Sequence, residues 1–254
     1  MKKKYILSFL MVAALLIVAG VGLRYAFYQG YIRMNYPSLD EYPVQGIDIS
    51  HHQGMIDWKT VDKNMVQFAF IKATEGENHK DSLFLENQTQ ARQNGIIAGA
   101  YHYFTFCRPG AIQAQHYIYT VPKDSVDMPP IIDLEYGGNC KIENRVNSLI
   151  AEIGEYIRVV ENHYNKKAII YTTYEFYNNY LLDEFPENPI WIRDILSKPR
   201  LKDGREWSFW QYTNRGRLEG ISTVVDQNAF AGSKERFALF CARTIKPIGE
   251  ETDK

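Results

Sequence analysis

Eight short apolar, β-branched runs recur along the chain, at 46–50, 68–73, 96–104, 130–136, 168–173, 189–193, 207–213 and 224–230, and they leave few folds open. Between the first five, the connections carry helical signals. Residues 57–65 read as a short helix, 81–94 as one stopped by Gly95, and 109–119 as one with Pro109 in its first turn. The clearest is 141–164, where Val146, Leu149, Ile150, Ile153, Ile157 and Val160 recur every three or four residues and mark one buried face. Strands alternating with helices imply parallel βαβ units, and eight strands in one domain imply a barrel. The last connections differ: 196–206 holds Pro199 and Gly204, and 214–223 holds two glycines, so neither suits a helix. Parallel strands need long crossovers. The expectation is therefore an α/β fold, a single modified TIM-like β/α barrel over 43–242. It starts as roughly five β/α units and closes with three strands, running antiparallel, that have little or no helix between them.

The N-terminus is the one stretch that is not globular in character. Lys2, Lys3 and Lys4 precede an apolar run, 6–23, with no charge before Arg24. At 1.5 Å per residue this run just crosses a hydrocarbon core, and it exceeds the roughly 7–15 residues of a cleavable signal core. Residues 1–24 are thus expected to be an uncleaved anchor, with the lysines in the cytoplasm and the rest of the chain outside it. The small residues Val18, Ala19 and Gly20 keep a cleaved signal peptide, and secretion, as the alternative. Residues 25–42 read as a juxtamembrane spacer and 243–254 as a charged tail.

With 29 basic and 30 acidic side chains, no long-range field suggests a nucleic-acid partner. The three cysteines, Cys107, Cys140 and Cys241, match no zinc spacing, and none sits beside a histidine as a nucleophile would. Cys107 and Cys140 each follow a strand and are the better pair for a disulfide; three buried thiols are the alternative. No Gly-x-Ser-x-Gly elbow, Gly-x-Gly-x-x-Gly or Walker loop is present. His51 and His52 near Asp48 could hint at a metal, but no further histidine stands at ligand spacing, and neither metal nor organic cofactor is expected.

The run Pro129-Pro130-Ile131-Ile132-Asp133-Leu134-Glu135-Tyr136 carries the chemistry. Residues two apart on a strand share a face and lie ~6.6 Å apart along it, so Asp133 and Glu135 point the same way. They stand at the C-terminal end of their strand, where β/α barrels keep their active sites. Two carboxyls in one mouth cannot both ionise easily, so one pKa should rise, as a general acid near neutral pH requires. A structural pair bound to a neighbouring Lys or Arg is the plainer reading. Asp48 in the first strand and Asp226 in the last favour the functional one, because closure makes those strands neighbours and buried acids are costly unless paired or solvated. Lys72, Glu75, Tyr101, His102 and Tyr103 are further candidates for the mouth.

In order along 44–241, Gly46-Ile47-Asp48-Ile49-Ser50 with Gln53-Gly54, then Phe70-Ile71-Lys72-Ala73-Thr74-Glu75-Gly76 and Gly99-Ala100-Tyr101-His102-Tyr103-Phe104, are followed by Asp133-Leu134-Glu135, Trp210-Gln211-Tyr212 and Val225-Asp226-Gln227-Asn228. Together they resemble glycoside hydrolase family 25, lysozymes of the Chalaropsis and Cellosyl type. The resemblance implies a modified β/α barrel with antiparallel closing strands. It also implies cleavage of the β-1,4 bond between N-acetylmuramic acid and N-acetylglucosamine in peptidoglycan glycan strands. By position, Glu135 resembles the general acid. Asp133 resembles the carboxylate that supports the reacting sugar, either by orienting its acetamido group or by assisting water. Asp48 and Asp226 resemble acids that line the site. Tyr103 and Gln211, with Tyr101, Lys72, Glu75, Tyr171 and Trp191, are expected to meet the substrate. One departure stands out: many family members have Trp-x-Ala where this chain has Trp191-Ile192-Arg193-Asp194, implying a bulkier, charged groove wall. The chain is expected to act as a monomer in the cell envelope. The rival readings are a membrane-tethered peptidoglycan-binding protein without turnover, and a hydrolase of another N-acetylglucosamine polymer.

Overall fold

The computed structural model describes residues 2–142 and 146–243. Its elements, in order, are helix α1 (Lys2–Tyr28), strands β1 (Gln45–Ile49), β2 (Phe68–Glu75) and β3 (His79–Lys80), helix α2 (Phe84–Gln93), β4 (Ile97–Tyr103), α3 (Gly110–Thr120), β5 (Ile131–Leu134), α4 (Val146–Tyr164), β6 (Ile169–Thr173), the short α5 (Tyr174–Phe176), β7 (Ile190–Arg193), β8 (Phe209–Gly216), β9 (Val225–Phe230) and α6 (Lys234–Ala242). The charged tail from 244 onward and residues 143–145 lie outside the described residues, as does the side chain of Val146.

Eight of the nine strands close into a barrel in the order β1-β2-β4-β5-β6-β7-β8-β9, with β9 returning to β1; the two-residue β3 only adds a hairpin to β2. All eight apolar runs are strands. The expectation of three antiparallel closing strands is corrected in part: β7 pairs in parallel with β6 and with β8, and β9 alone runs against its neighbours. The helix-free connection between β7 and β8 is long enough for a crossover. Side chains brace it: Asp194 accepts from the backbone of Leu196 and Ser197, and the Trp207 and Trp210 indoles donate to the carbonyls of Pro199 and Asp194. The helix expected at 57–65 is also absent. The Asp57 and Asp62 carboxylates there accept from the backbone of Lys59 and Asn64, capturing N–H groups that a helix would need.

Period-two alternation sorts the strand side chains. One set faces the outer helices: Ile47, Ile49, Ala69, Ile71, Ala98, Ala100, Ile132, Leu134, Ile170, Ile190 and Ile192, packed against α4 residues Leu149, Ile153, Ile157 and Val160. The other set fills the barrel, where Phe68, Phe70, Ile131, Ile169, Phe209 and Phe230 form an apolar plug closed below by Phe237 of α6. The plug leaves the polar site floored by low-dielectric material.

Helices α3 and α4 meet closely enough to require a glycine. Gly110 opens α3 and donates its N–H to the Glu152 carboxylate of α4 at 2.7 Å, while a Cβ there would lie 1.8 Å from the Glu152 carbonyl oxygen. Backbone cannot yield as a side chain can. Gly110→Ala should therefore force the helices apart and destabilise the fold by about 3 kcal/mol, read as a lower urea midpoint.

Helix α1 is apolar along Lys4–Tyr28 and none of it is buried in the protein. An apolar helix of this length that is exposed on all sides fits a signal or membrane segment and no role in the barrel core.

Candidate active site

The C-terminal ends of the parallel strands converge on one mouth, and alternation decides which side chains enter it. From β2, β4, β5 and β7 the inward positions above the plug are Lys72, Tyr101, Tyr103, Asp133 and Arg193, with Glu135 just past the end of β5. Register supplies the acids of the closing strands: Asp48 stands directly opposite Asp226 across the antiparallel β1–β9 pair. Asp133, Glu135, Asp48 and Asp226 therefore share one mouth.

Asp48 is held by a chain of donors. Its Oδ2 accepts from Gln211 Nε2 at 2.9 Å and from Asn228 Nδ2 at 2.8 Å. Gln211 in turn accepts from the Tyr171 hydroxyl at 3.0 Å, and Asn228 from the Trp191 indole at 2.8 Å. Burial raises the Asp48 pKa, and these amide donors work against that rise. Asp226 is driven further, well above the usual carboxylate range, by burial and then by the charge of Asp48. Within this pair the proton is held more tightly on Asp226 than on Asp48.

Asp133 is only 7% exposed, and its Oδ1 is buried with no hydrogen-bond partner among the described residues. Burial and then the nearby Glu135 charge push its pKa well above the ordinary range, with Lys72 opposing. Glu135 also titrates high, from burial first, while Arg193 draws it down and Asp48 pushes it up. It borders an open cleft of about 450 Å³ shared with Tyr136, Thr173, Tyr174 and Arg193. The arrangement offers a carboxyl with a raised pKa at the open edge beside a second, more deeply buried carboxyl with a free oxygen. That is the equipment for protonating a leaving oxygen while steadying a cationic sugar.

The loop carrying Glu135 is fastened to the loop after β4. Asn139 Nδ2 donates to the carbonyls of Phe104 at 2.7 Å and Glu135 at 3.3 Å, and its Oδ1 accepts from the Phe106 backbone at 3.0 Å. The Tyr103 hydroxyl donates to the Gly137 carbonyl. Beside them a disulfide joins Cys107 to Cys140 across 33 residues, leaving Cys241 as a free thiol.

On β2 a bulge between Lys72 and Thr74 shifts the alternation, so Lys72 and Glu75 both reach the mouth and pair at 2.7 Å. Lys72 also lies 4.9 Å from the centre of the Tyr103 ring. The bulge turns Thr74 outward, to His102. That histidine is not a mouth residue, contrary to expectation: it is buried between barrel and helices, paired with Thr74 at 2.8 Å and Gln113 at 3.1 Å, and stacked on Tyr156. Burial lowers its pKa to about 3, so it stays neutral. His51 turns to Asp81, 2.8 Å away. Trp191, expected to wall the groove, is 2% exposed and packs on Phe70 and Tyr171, so it is floor beneath the acids. Tyr171 and Gln211 lie in the same floor, linked to Asp48 by hydrogen bonds.

Asn228, two positions beyond Asp226, joins the site only through the assembled barrel, while Arg193 lines the cleft beside Glu135, as the charged groove wall expected there. Arg193 acts electrostatically, lowering the pKa of Glu135, Asp48 and Asp226. A general acid works only while protonated, so activity is lost as pH rises through its pKa. Arg193→Ala should raise that pKa and move the alkaline limb of the pH–rate profile to higher pH, whereas Arg193→Lys should largely preserve it.

Comparison with known proteins agrees with this geometry. The model of "Glycosyl hydrolases family 25" matches residues 47–221. YegX of Escherichia coli K12 is 37% identical over 204 residues, covering 78% of this chain and 74% of that protein. Lysozyme M1 of Streptomyces globisporus is 34% identical over 216 residues, covering 79% of this chain and 72% of the relative. A solved family 25 glycosyl hydrolase from Bacillus anthracis is 39% identical, with a TM-score of 0.75 over 82% of this chain and 97% of that one. An eight-stranded barrel with one reversed strand, four acids in its mouth and a family match running through nearly all of it lead to one assignment: the chain belongs to glycosyl hydrolase family 25.

Proposed function

We propose that the chain is a muramidase, hydrolysing the β-1,4 bond between N-acetylmuramic acid and N-acetylglucosamine in peptidoglycan. The observation that carries this reading is the pairing of Glu135, at the open edge with a raised pKa, with Asp133, whose buried Oδ1 has no partner among the described residues. Glu135 protonates the leaving oxygen. Asp133 supports the sugar that becomes cation-like and the group that attacks it. Asp48, held by Gln211 and Asn228, and Asp226 set the charge of the site beneath the sugar. Tyr101, Tyr103, Lys72 and Glu75 contact the glycan at the rim, while Tyr171, Trp191 and Gln211 keep the floor in shape.

The membrane is the second partner in this reading. Helix α1 is an uncleaved anchor that leaves the barrel on the outer side, and peptidoglycan near the cell surface is the substrate. A purely binding module would have no use for two carboxyls with raised pKa values set side by side. Digestion of a defined peptidoglycan with mass spectrometry of the products tests the bond. Muramic acid at the new reducing end is the expected result; N-acetylglucosamine there, or no new end at all, would overturn it.

A further inference from the structure

The outer faces of β8 and β9 carry no helix, yet Trp210, Tyr212 and Ala229 on them are buried. Residues 29–42 cover them. Arg33 donates to Gln227 of β9, Asn35 Nδ2 to the Tyr212 carbonyl of β8 at 3.4 Å, and Tyr42 packs on Trp207 and Trp210 at the base of the barrel, where β1 begins. The segment expected to be a juxtamembrane spacer runs as a strap from rim to base. Its upper end lies at the mouth. Arg215 Nη1 donates to the Tyr28 carbonyl at 3.2 Å, and its guanidinium lies over the rings of Phe27 and Tyr28 at 5.3 and 4.7 Å. Arg217 donates to the Gln29 side chain at 3.1 Å and lies over Tyr31 at 4.6 Å. Gly30, with φ of +75°, passes so close that a Cβ there would lie 2.1 Å from the Arg215 carbonyl oxygen. Arg215 follows Gln211, the donor to Asp48, by four residues along β8, roughly 13 Å toward the open side.

We infer that this contact turns the catalytic mouth toward the lipid bilayer. The inference rests on the reading of α1 as an anchor. The helix leaves the membrane at Tyr28, where Tyr25, Phe27, Tyr28 and Tyr31 form an aromatic end of the kind that settles at headgroup level. Arg24, Arg215 and Arg217 gather at the same end, suited to anionic headgroups. A flexible linker of this length would let the barrel wander by about 20 Å; the strap is hydrogen-bonded to β8 and β9 and permits no such excursion. The glycan within reach is the layer next to the membrane, including strands still attached to a lipid.

The full chain in vesicles of phosphatidylglycerol and phosphatidylethanolamine, with an energy acceptor on the headgroups, tests this. In a Cys241→Ser background, a donor dye is placed by Met55→Cys at the mouth or by Leu239→Cys at the base, both positions being exposed, at 69% and 71%. The two ends of the barrel are separated by roughly 25 Å, the length of an eight-residue strand. Several-fold stronger quenching at the mouth is expected, and the Arg215→Ser/Arg217→Ser variant should lose that difference while still digesting purified glycan in solution. Equal quenching, or stronger quenching at the base, in protein that stays with the vesicles through carbonate washing would sink the orientation alone. Release by carbonate would sink the anchor reading and the orientation with it.

Discussion

Glu135→Gln is expected to lower kcat on peptidoglycan by about a thousandfold, equivalent to about 4 kcal/mol of transition-state stabilisation. The amide keeps the shape of the side chain and removes only the transferable proton. Because Glu135 lies beyond the end of β5 at the open edge, the fold should tolerate the exchange and KM should change little. The alkaline limb of the pH–rate profile should vanish with it. A zymogram in which wild type and Glu135→Gln clear the gel equally would remove Glu135 from the mechanism.

Asp133→Asn should separate activity from stability. Activity is expected to fall about a hundredfold, because an amide cannot take up the negative charge that the developing cationic sugar draws from the carboxyl. Stability should move the other way. Burial and Glu135 hold the Asp133 pKa well above its unfolded value. A carboxyl shifted upward on folding costs stability as pH rises from the ordinary carboxylate range through the raised folded value, and that cost is fully present above it. The asparagine variant should therefore show a higher urea midpoint at neutral pH, with the difference closing below about pH 4, where both states of the wild-type carboxyl are protonated. A variant that loses stability and activity together would instead make Asp133 a structural residue.

All eight strands and the long helices could be read from the chain, because each is set by local periodicity: β-branched runs with period two, and the Leu149, Ile153, Ile157 stripe with period 3.6. The same periodicity puts Asp133 and Glu135 on one face. Local rules failed where local groups competed with them. Asp57 and Asp62 captured backbone donors at 57–65, a bulge at Lys72 to Thr74 shifted the alternation of β2 and turned Thr74 outward to His102, and the β7–β8 connection crossed over without a helix. Arg193 was visible as a charged residue in an apolar run, and only the assembled mouth shows which acids it influences.

The amino-acid order by itself determined which side chains each strand presents and, outside the β2 bulge, to which face, and it marked α1 as apolar enough to cross a membrane. Closure of the barrel decided the rest. The Asp48–Asp226 pair, the Tyr171–Gln211–Asp48–Asn228–Trp191 chain and the strap over β8 and β9 each join residues far apart in sequence. Period along a strand is a property of a few consecutive residues, whereas register between strands depends on the shear, twist and loop lengths of the whole barrel.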